Sequence, residues 1–494
     1  MKFKTPLLFT GILAASAGLY FAAESQISSP EEPVVESEVS SADTEAVSKD
    51  VAETDLPNTA PTAPTPDSAP EPEAPTVATP DAFPDMLTPD QQRTATISLA
   101  SAIFRQSDPT DLSPTAADLT FAPASLTDAL QVLWWGTRGE TADEFADWFS
   151  QYADWYAGGD PEAEVTLSAP AGDDASVATV DKASLGGGVA MGRGVGLWVD
   201  DEFQVRADYL DLLKDRGVGN LVELDWSKTA DAVAIIDDWG KEVTNGRINS
   251  LVSPESLNPP VGFAVTSAVH LAATWAQSFD PKRTEIADFS LLDGELIPAS
   301  FLRDNRSLRM VSVHEDGTKV VEIPFSGAGF RMIAVLPGRE GAKALRKVER
   351  QVGEQFEMWV SEIDSSEPRE IRLRFPKFVV GSGFNPRPAL ESMGITKVFD
   401  HNEADFTGLS PIGGLRLDMI HHQAAVRLDE TGVEAVATTA ATVVPKTVTS
   451  DPNTFDASRP FNYFMLGPGN SVLFAGRVAA PEMPDASDMI ETRV

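Results

Sequence analysis

Histidine is the first side chain to look for when acid–base or metal chemistry is in question, and this chain has five. Only His421 and His422 are adjacent. Neighbours in a strand point to opposite faces, so these two cannot easily share one metal ion. The His-Glu-x-x-His, Walker and Gly-x-Ser-x-Gly patterns are all missing, and the glycines of "LGGGVAMGRGVG" (185–196) do not have the dinucleotide spacing. They read as a strand-to-strand bend. With no cysteine in the chain, disulfides, thiol catalysis, thiolate metal sites and a cysteine-linked lipid anchor are excluded. No enzyme, metal or cofactor site is legible, and the chain is expected to be no enzyme.

What remains is a stretch that invites attack on itself. "EAVATTAATVV" (434–444) runs directly into "PKTVTSDPN". For ten residues after Glu434 there is no charge, glycine, proline or side chain larger than valine. With strand alternation, Val433, Ala435, Ala437, Thr439, Ala441 and Val443 share one small, mostly apolar face. Such a ribbon belongs in a sheet, yet it ends in a turn sequence whose one charge before Asp451 is Lys446.

The elements around it read as α+β. In "SLTDALQVLWWG", Ser125 reads as an N-cap with Asp128 in the first turn, and Leu126, Ala129, Leu130, Leu133 and Trp134 lie on one helical face before Gly136. A second cap is expected at Thr141 with Glu144. Later segments carry strand period: "IRLRF" (371–375), "HQAAVRL" (422–428) and the hairpin "NYFML-GPGN-SVLFAGRV". Helices come first and strands crowd the end, without repeats, as in one α+β domain.

Six motifs in order carry a resemblance: "FAPASLTDALQVLWWGTRGETADEF", "IDDWGKEVTNGRINSLV", "AVHLAATWAQSFDPKRT", "IRLRFPKFVVGSGFNPRPALESMGI", "LDETGVEAVATTA" and "RPFNYFMLGPGNSVLFAGRVAAP". Across nearly all of residues 92–484 the chain resembles the serpins, a family of suicide protease inhibitors. The resemblance implies the serpin fold, a large central β-sheet with surrounding helices and an exposed C-terminal reactive loop. In the family a glutamate opens the hinge of that loop and the bond attacked lies sixteen residues on, which from Glu430 gives Lys446-Thr447. Thr447 also stands eight residues before Phe455, a spacing the family uses.

The hinge would then comprise Glu430, Gly432, Val433, Glu434, Ala435 and Ala437. Glycine permits the bend, and position 433 must bury without charge, which valine satisfies although a smaller polar residue is usual there. By the same resemblance, His422, Ser267, Ser125 and Trp275 fall where relatives control opening of the sheet. Relatives commonly bond that histidine to an asparagine; Ser267 stands in its place and Ala122 replaces a common serine, so the latch is expected to be weakened or rebuilt. From the residues alone, His422 shares a strand face with Ala424, Val426 and Leu428 and reads as a buried structural histidine.

The resemblance thus implies inhibition of a trypsin-like serine protease: Lys446 enters an acidic specificity pocket, the serine attacks, and the cut loop inserts before the acyl-enzyme hydrolyses. Loop insertion of this kind is the family's established mechanism, strand addition driven by released strain. The alternative is a non-inhibitory serpin acting as a binding or chaperone-like scaffold. Bulky, charged or proline residues in the hinge would favour it, and Val433 to Thr439 holds only Glu434 as a charge.

Composition bounds the partners. The chain has 494 residues and a formal charge of −37, which repels nucleic acid and anionic membrane. Residues 1–23 carry +2 and residues 24–90 carry −15, leaving −24 on residues 91–494. A basic heparin site is not evident, because residues 150–182, where relatives carry it, have Lys182 as their one basic residue. "MKFKTPLLFTGILAASAGLY" reads as a signal peptide with Ala15-Ser16-Ala17 as cleavage site, or as an uncleaved anchor, since residues 6–23 are just long enough to span a bilayer. Export to a secreted, extracellular or periplasmic location follows in either case, with a surface tether in the second. Residues 24–90, with 12 prolines and 16 acidic residues, read as a disordered linker reaching about 45 Å. The serpin domain is expected over 91–484, with a tail at 485–494 and a monomeric state.

Overall fold

The computed structural model describes residues 83–113, 117–150, 181–184, 188–257, 261–313, 317–433, 442–443 and 453–481. All of them belong to the compact unit of residues 79–494. The chain opens with α1 (Pro89–Gln106), β1 (Leu119–Phe121), α2 (Pro123–Gly136) and α3 (Gly139–Ser150). Next come β2 (Asp181–Ser184), β3 (Val189–Asp200), α4 (Ala207–Arg216), β4 (Asn220–Leu224) and α5 (Thr229–Val243). Strands then dominate: β5 (Phe263–Thr274), β6 (Glu285–Ser290), β7 (Leu296–Leu308), β8 (Met310–Val313), β9 (Thr318–Pro324) and β10 (Arg331–Leu336) precede the long α6 (Ala342–Ser365). The last part holds β11 (Arg369–Pro376), β12 (Phe378–Phe384), α7 (Arg387–Ser392), β13 (Met419–Leu428), β14 (Gly432–Val433), β15 (Thr442–Val443), β16 (Thr454–Asp456), β17 (Phe461–Leu466) and β18 (Val472–Val478).

Three sheets result. The largest runs β12-β13-β14-β5-β3-β2, with β4 also paired to β3. A second runs β1-β18-β17-β10-β9-β8 and a third β15-β6-β7-β11-β16. One face of the large sheet packs against α2 and the second sheet through Val195, Leu197, Val269, Leu271, Val426 and their neighbours. α5 covers the other face with Trp239 and Val243 against Trp198, Ala264 and Ala268. This two-sided cover is what makes a central strand position in the large sheet a buried one.

Four local expectations are corrected. α2 begins at Pro123, so Ser125 is no N-cap but a buried residue inside the helix; proline at the first position presets the helical φ and moves the start upstream. Thr141 is likewise inside α3, which begins at Gly139, and its hydroxyl donates to the Glu403 carbonyl while Glu144 accepts from the backbone of Thr396 and Lys397. The bend expected over 185–196 is confined to its first part: β2 and β3 are antiparallel, and Gly188, with φ +83°, stands just before the return strand. Gly192, Gly194 and Gly196 lie within β3; a Cβ at Gly192 would sit 2.3 Å from the Val243 carbonyl, so Gly192 and Gly194 let α5 approach closely, while Gly196 makes room for Trp198. Finally β17 and β18 are buried at every position, because packing covers both faces, and do not alternate.

The folded part also reaches back before residue 91. Thr88 and Gln91 close a capping box on α1, Leu87 is buried, and Phe83 and Met86 pack on the core. Deleting residues 24–80 is therefore expected to leave the urea midpoint unchanged, whereas deleting 24–90 costs roughly 4–5 kcal/mol from the lost cap, the buried Leu87 and the half-buried Phe83 and Met86. Equal midpoints for the two deletions would contradict this. Among the described residues, no helix is long and apolar enough to cross a membrane.

Candidate functional site

Leaving β13, the chain reverses in a tight turn. Asp429 Oδ1 accepts from the Thr431 N–H (2.8 Å), the Thr431 hydroxyl (2.7 Å) and the Gly432 N–H (3.3 Å). Glu430 is fully buried; the Thr284 hydroxyl donates to its Oε1 at 2.7 Å and Lys377 Nζ lies 3.3 Å from Oε2. A buried carboxylate without its cation is costly, so this pair anchors the turn. Trp275 braces it from below: its indole N–H donates to the Asp429 carbonyl and its backbone N–H to the Thr431 carbonyl, both at 2.9 Å, while the ring stacks on Phe325 at 4.8 Å.

Gly432 follows with φ +150°, and a Cβ there would stand 2.0 Å from the Ala273 carbonyl. Only glycine fits. Val433 then enters between two strands, opposite Leu428 of β13 and Ala273 of β5, antiparallel to both, and is buried. The apolar requirement at this position is met by valine.

Immediately beyond, β13 and β5 close on each other in parallel, from Met419 opposite Ala264 to Ala425 opposite His270. At the centre His422 stands opposite Ser267. The Ala122 N–H donates to His422 Nε2 at 2.9 Å, which places the ring proton on Nδ1, 3.1 Å from Ser267 Oγ. Ser267 and Ser125 share a further hydroxyl bond of 2.8 Å. A backbone amide at Ala122 and a serine from α2 thus complete the hydrogen bonding of His422 and Ser267.

Burial, with His421 beside it, pushes the His422 pKa from 6.5 down to about 3, so the ring is neutral. For a folded pKa below the unfolded one, the stabilisation is complete above pH 6.5 and is lost as the pH falls towards 3, at about 1.4 kcal/mol per unit. Relative to His422→Gln, the wild type is expected to lose roughly 2–3 kcal/mol between pH 6.5 and 4.5. Urea denaturation of both at the two pH values checks this; parallel losses would place His422 outside the pH response.

Of the predicted residues, the structure brings together Glu430, Gly432, Val433 and Trp275 at the turn and His422, Ser267 and Ser125 at the sheet centre. Glu434, Ala435, Ala437, Lys446 and Thr447 lie outside the described residues. Thr284 and Lys377 were missed: both stand inside motifs that carry the resemblance, at "DPKRT" and "RFPKF", but nothing local ties them to a glutamate 146 residues from Thr284. Among the described residues, no group of side chains could hold a metal ion.

The profile of the family described as "Serpin (serine protease inhibitor)" matches residues 94–481. Human antithrombin-III is 29% identical over 58% of this chain, and the chain covers 61% of that relative's length. A serine protease inhibitor of Cyanea capillata is 26% identical over 73% of this chain and 91% of its own. Among solved structures, the insect Serpin48 of Tenebrio molitor superposes with a TM-score of 0.61 at 23% identity over 80% of this chain and 98% of that one. Uncleaved ovalbumin superposes with a TM-score of 0.62 at 20% identity, over 79% of this chain and 100% of that one. The profile match, the three sheets and the glutamate-glycine turn feeding the large sheet agree: this chain belongs to the serpin family, described as serine protease inhibitors and not as enzymes.

Proposed function

We propose that the chain is an exported suicide inhibitor of trypsin-like serine proteases, secreted or tethered through residues 6–23, and monomeric. The observation that carries the reading is the register of β14. Val433 pairs antiparallel with Ala273 and Leu428. Continuing that register puts Ala435 between Leu271 and Val426, and Ala437 between Val269 and Ala424. All four partners are buried and apolar. Thr439 then arrives between Ser267 and His422, whose mutual bond insertion would break, and its hydroxyl can replace that bond. The ribbon of small residues matches a slot of buried ones, position by position.

In this mechanism the protease serine attacks the Lys446 carbonyl, the Thr447 amine leaves, and the acyl-ester joins the protease to the C-terminal end of the ribbon. Gly432 and Val433 are already seated, so insertion can extend by two-residue steps while β13 and β5 part. Inhibition results when insertion outruns hydrolysis of the ester.

The test is incubation with trypsin followed by denaturing electrophoresis. A denaturant-resistant complex, and a released peptide beginning at Thr447, are expected. Cut chain with fully active trypsin would sink the inhibitory reading in favour of a non-inhibitory scaffold.

A further inference from the structure

The loop touches the body at a second place. Thr442 and Val443 pair in parallel with Glu285 and Ile286 of β6, making β15 the outer strand of the third sheet. Without it, β6 would present an open edge, the kind of surface that recruits another strand. Glu285 holds this edge rigid: Arg303 Nη1 lies 2.6 Å from its Oε2 and Arg374 Nε 3.0 Å from its Oε1. Arg374 in turn pairs with Asp456 of β16 at 3.2 Å and lies 4.1 Å over the Phe301 ring. The start of β6 is thus braced across β7 and β11 to the far side of the sheet.

That far side is where the loop returns. β16 is the opposite outer strand, paired with β11. The chain from Val443 to Thr454 therefore joins two opposite edges of one sheet, four strand spacings or about 19 Å apart. Its eleven residue steps could reach about 37 Å if extended. Lys446 and Thr447 fall within this segment of the sequence, three and four residues beyond the paired Val443.

We infer that the edge of β6 is a docking site for the intact loop, and that a protease must displace Thr442 and Val443 from it to engage Lys446. The inference rests on the proposed function only in taking Lys446-Thr447 as the bond attacked. A protease binding an extended peptide by strand addition needs the backbone edge just before that bond. The two residues that lead into that edge, Thr442 and Val443, are held on β6 in the resting chain. A two-residue pairing is short, so it acts as a gate that opens by fluctuation and lowers the encounter rate. Insertion moves Thr442 and Val443 into the large sheet, and the two placements exclude each other.

The absence of cysteine makes the test clean. Neighbouring strands bring Cα atoms within disulfide range, so Val443→Cys with Ile286→Cys should form a link under mild oxidant. Cleavage by trypsin after Lys446 is expected to slow at least tenfold in the linked chain and to recover on reduction, with each single cysteine variant cut at the wild-type rate. A folded double variant that forms no link, or a linked chain cut at the unlinked rate, overturns the inference. Should the double variant fail to fold, amide exchange of the wild type decides: residues 442–444 are expected to exchange more slowly than 438–441 and 448–450, and uniform fast exchange overturns it. Cleavage, not trapping, is the readout. A chain that is cut without holding trypsin would end the inhibitory reading and leave the docking edge standing.

Discussion

With arginine at position 437, trypsin is expected to cut the chain after Lys446 and leave active. The continued register sets residue 437 on the inward face, between Val269 and Ala424, which are buried to 1% and 0% exposure. Burying an unpaired cation there costs several kcal/mol. The cost falls on insertion and not on the intact chain, in which Ala424 of β13 and Val269 of β5 pair directly with each other. Every 1.4 kcal/mol added to the insertion barrier slows it about tenfold, while hydrolysis of the ester keeps its own rate. The stoichiometry of inhibition should therefore climb far above one. Thermal unfolding gives an independent reading: cleaved wild type is expected to melt well above the intact chain, and cleaved Ala437→Arg to gain less. Stable complexes at the wild-type stoichiometry would show that the ribbon does not insert in this register.

Lys446→Ala is expected to remove inhibition of trypsin by at least about a thousandfold, because the acidic pocket of such a protease loses the one charge it was built to pair. Between Arg427 and Arg459 the chain has no other basic residue, so trypsin has no neighbouring bond to turn to. The melting temperature should be unchanged. Second-order rate constants for trypsin measured on wild type and variant decide the matter, and an unaltered rate would move the bait bond away from Lys446.

Much of this was legible in one dimension. The period-two pattern of His422, Ala424, Val426 and Leu428 predicts a half-covered strand, and over 422–428 β13 buries just those residues. The positive φ of Gly432 and the burial of Val433 are conditions on one residue's backbone or surroundings, and single residue types speak to them directly. The errors were of another kind. Ser125 carries an N-cap pattern, yet Pro123 starts the helix two residues earlier and turns the serine inward, towards Ser267. The glycines of β3 carry a bend pattern, yet Gly192 and Gly194 admit α5 and Gly196 makes room for Trp198. A capping residue and a packing residue can have the same local neighbours; what differs is the element lying across from them.

The sequence by itself determined the properties that follow from residue type and short spacing: the excess of acidic residues, the lack of thiol chemistry, the period-two pattern before Lys446 and the glycine-permitted bend at 432. Only the tertiary structure decided which groups meet at the centre of the large sheet and which strand Thr442 and Val443 pair with. Ser125, Ser267 and His422 meet across gaps of 142 and 155 residues, with the Ala122 amide completing the set. The pairing of Thr442 with Glu285 likewise joins segments that share no local signal. Hydrogen bonds and burial act through a few ångströms of space, and the distance between such groups is set by how the strands are ordered in the sheets, which no stretch of ten or twenty residues encodes.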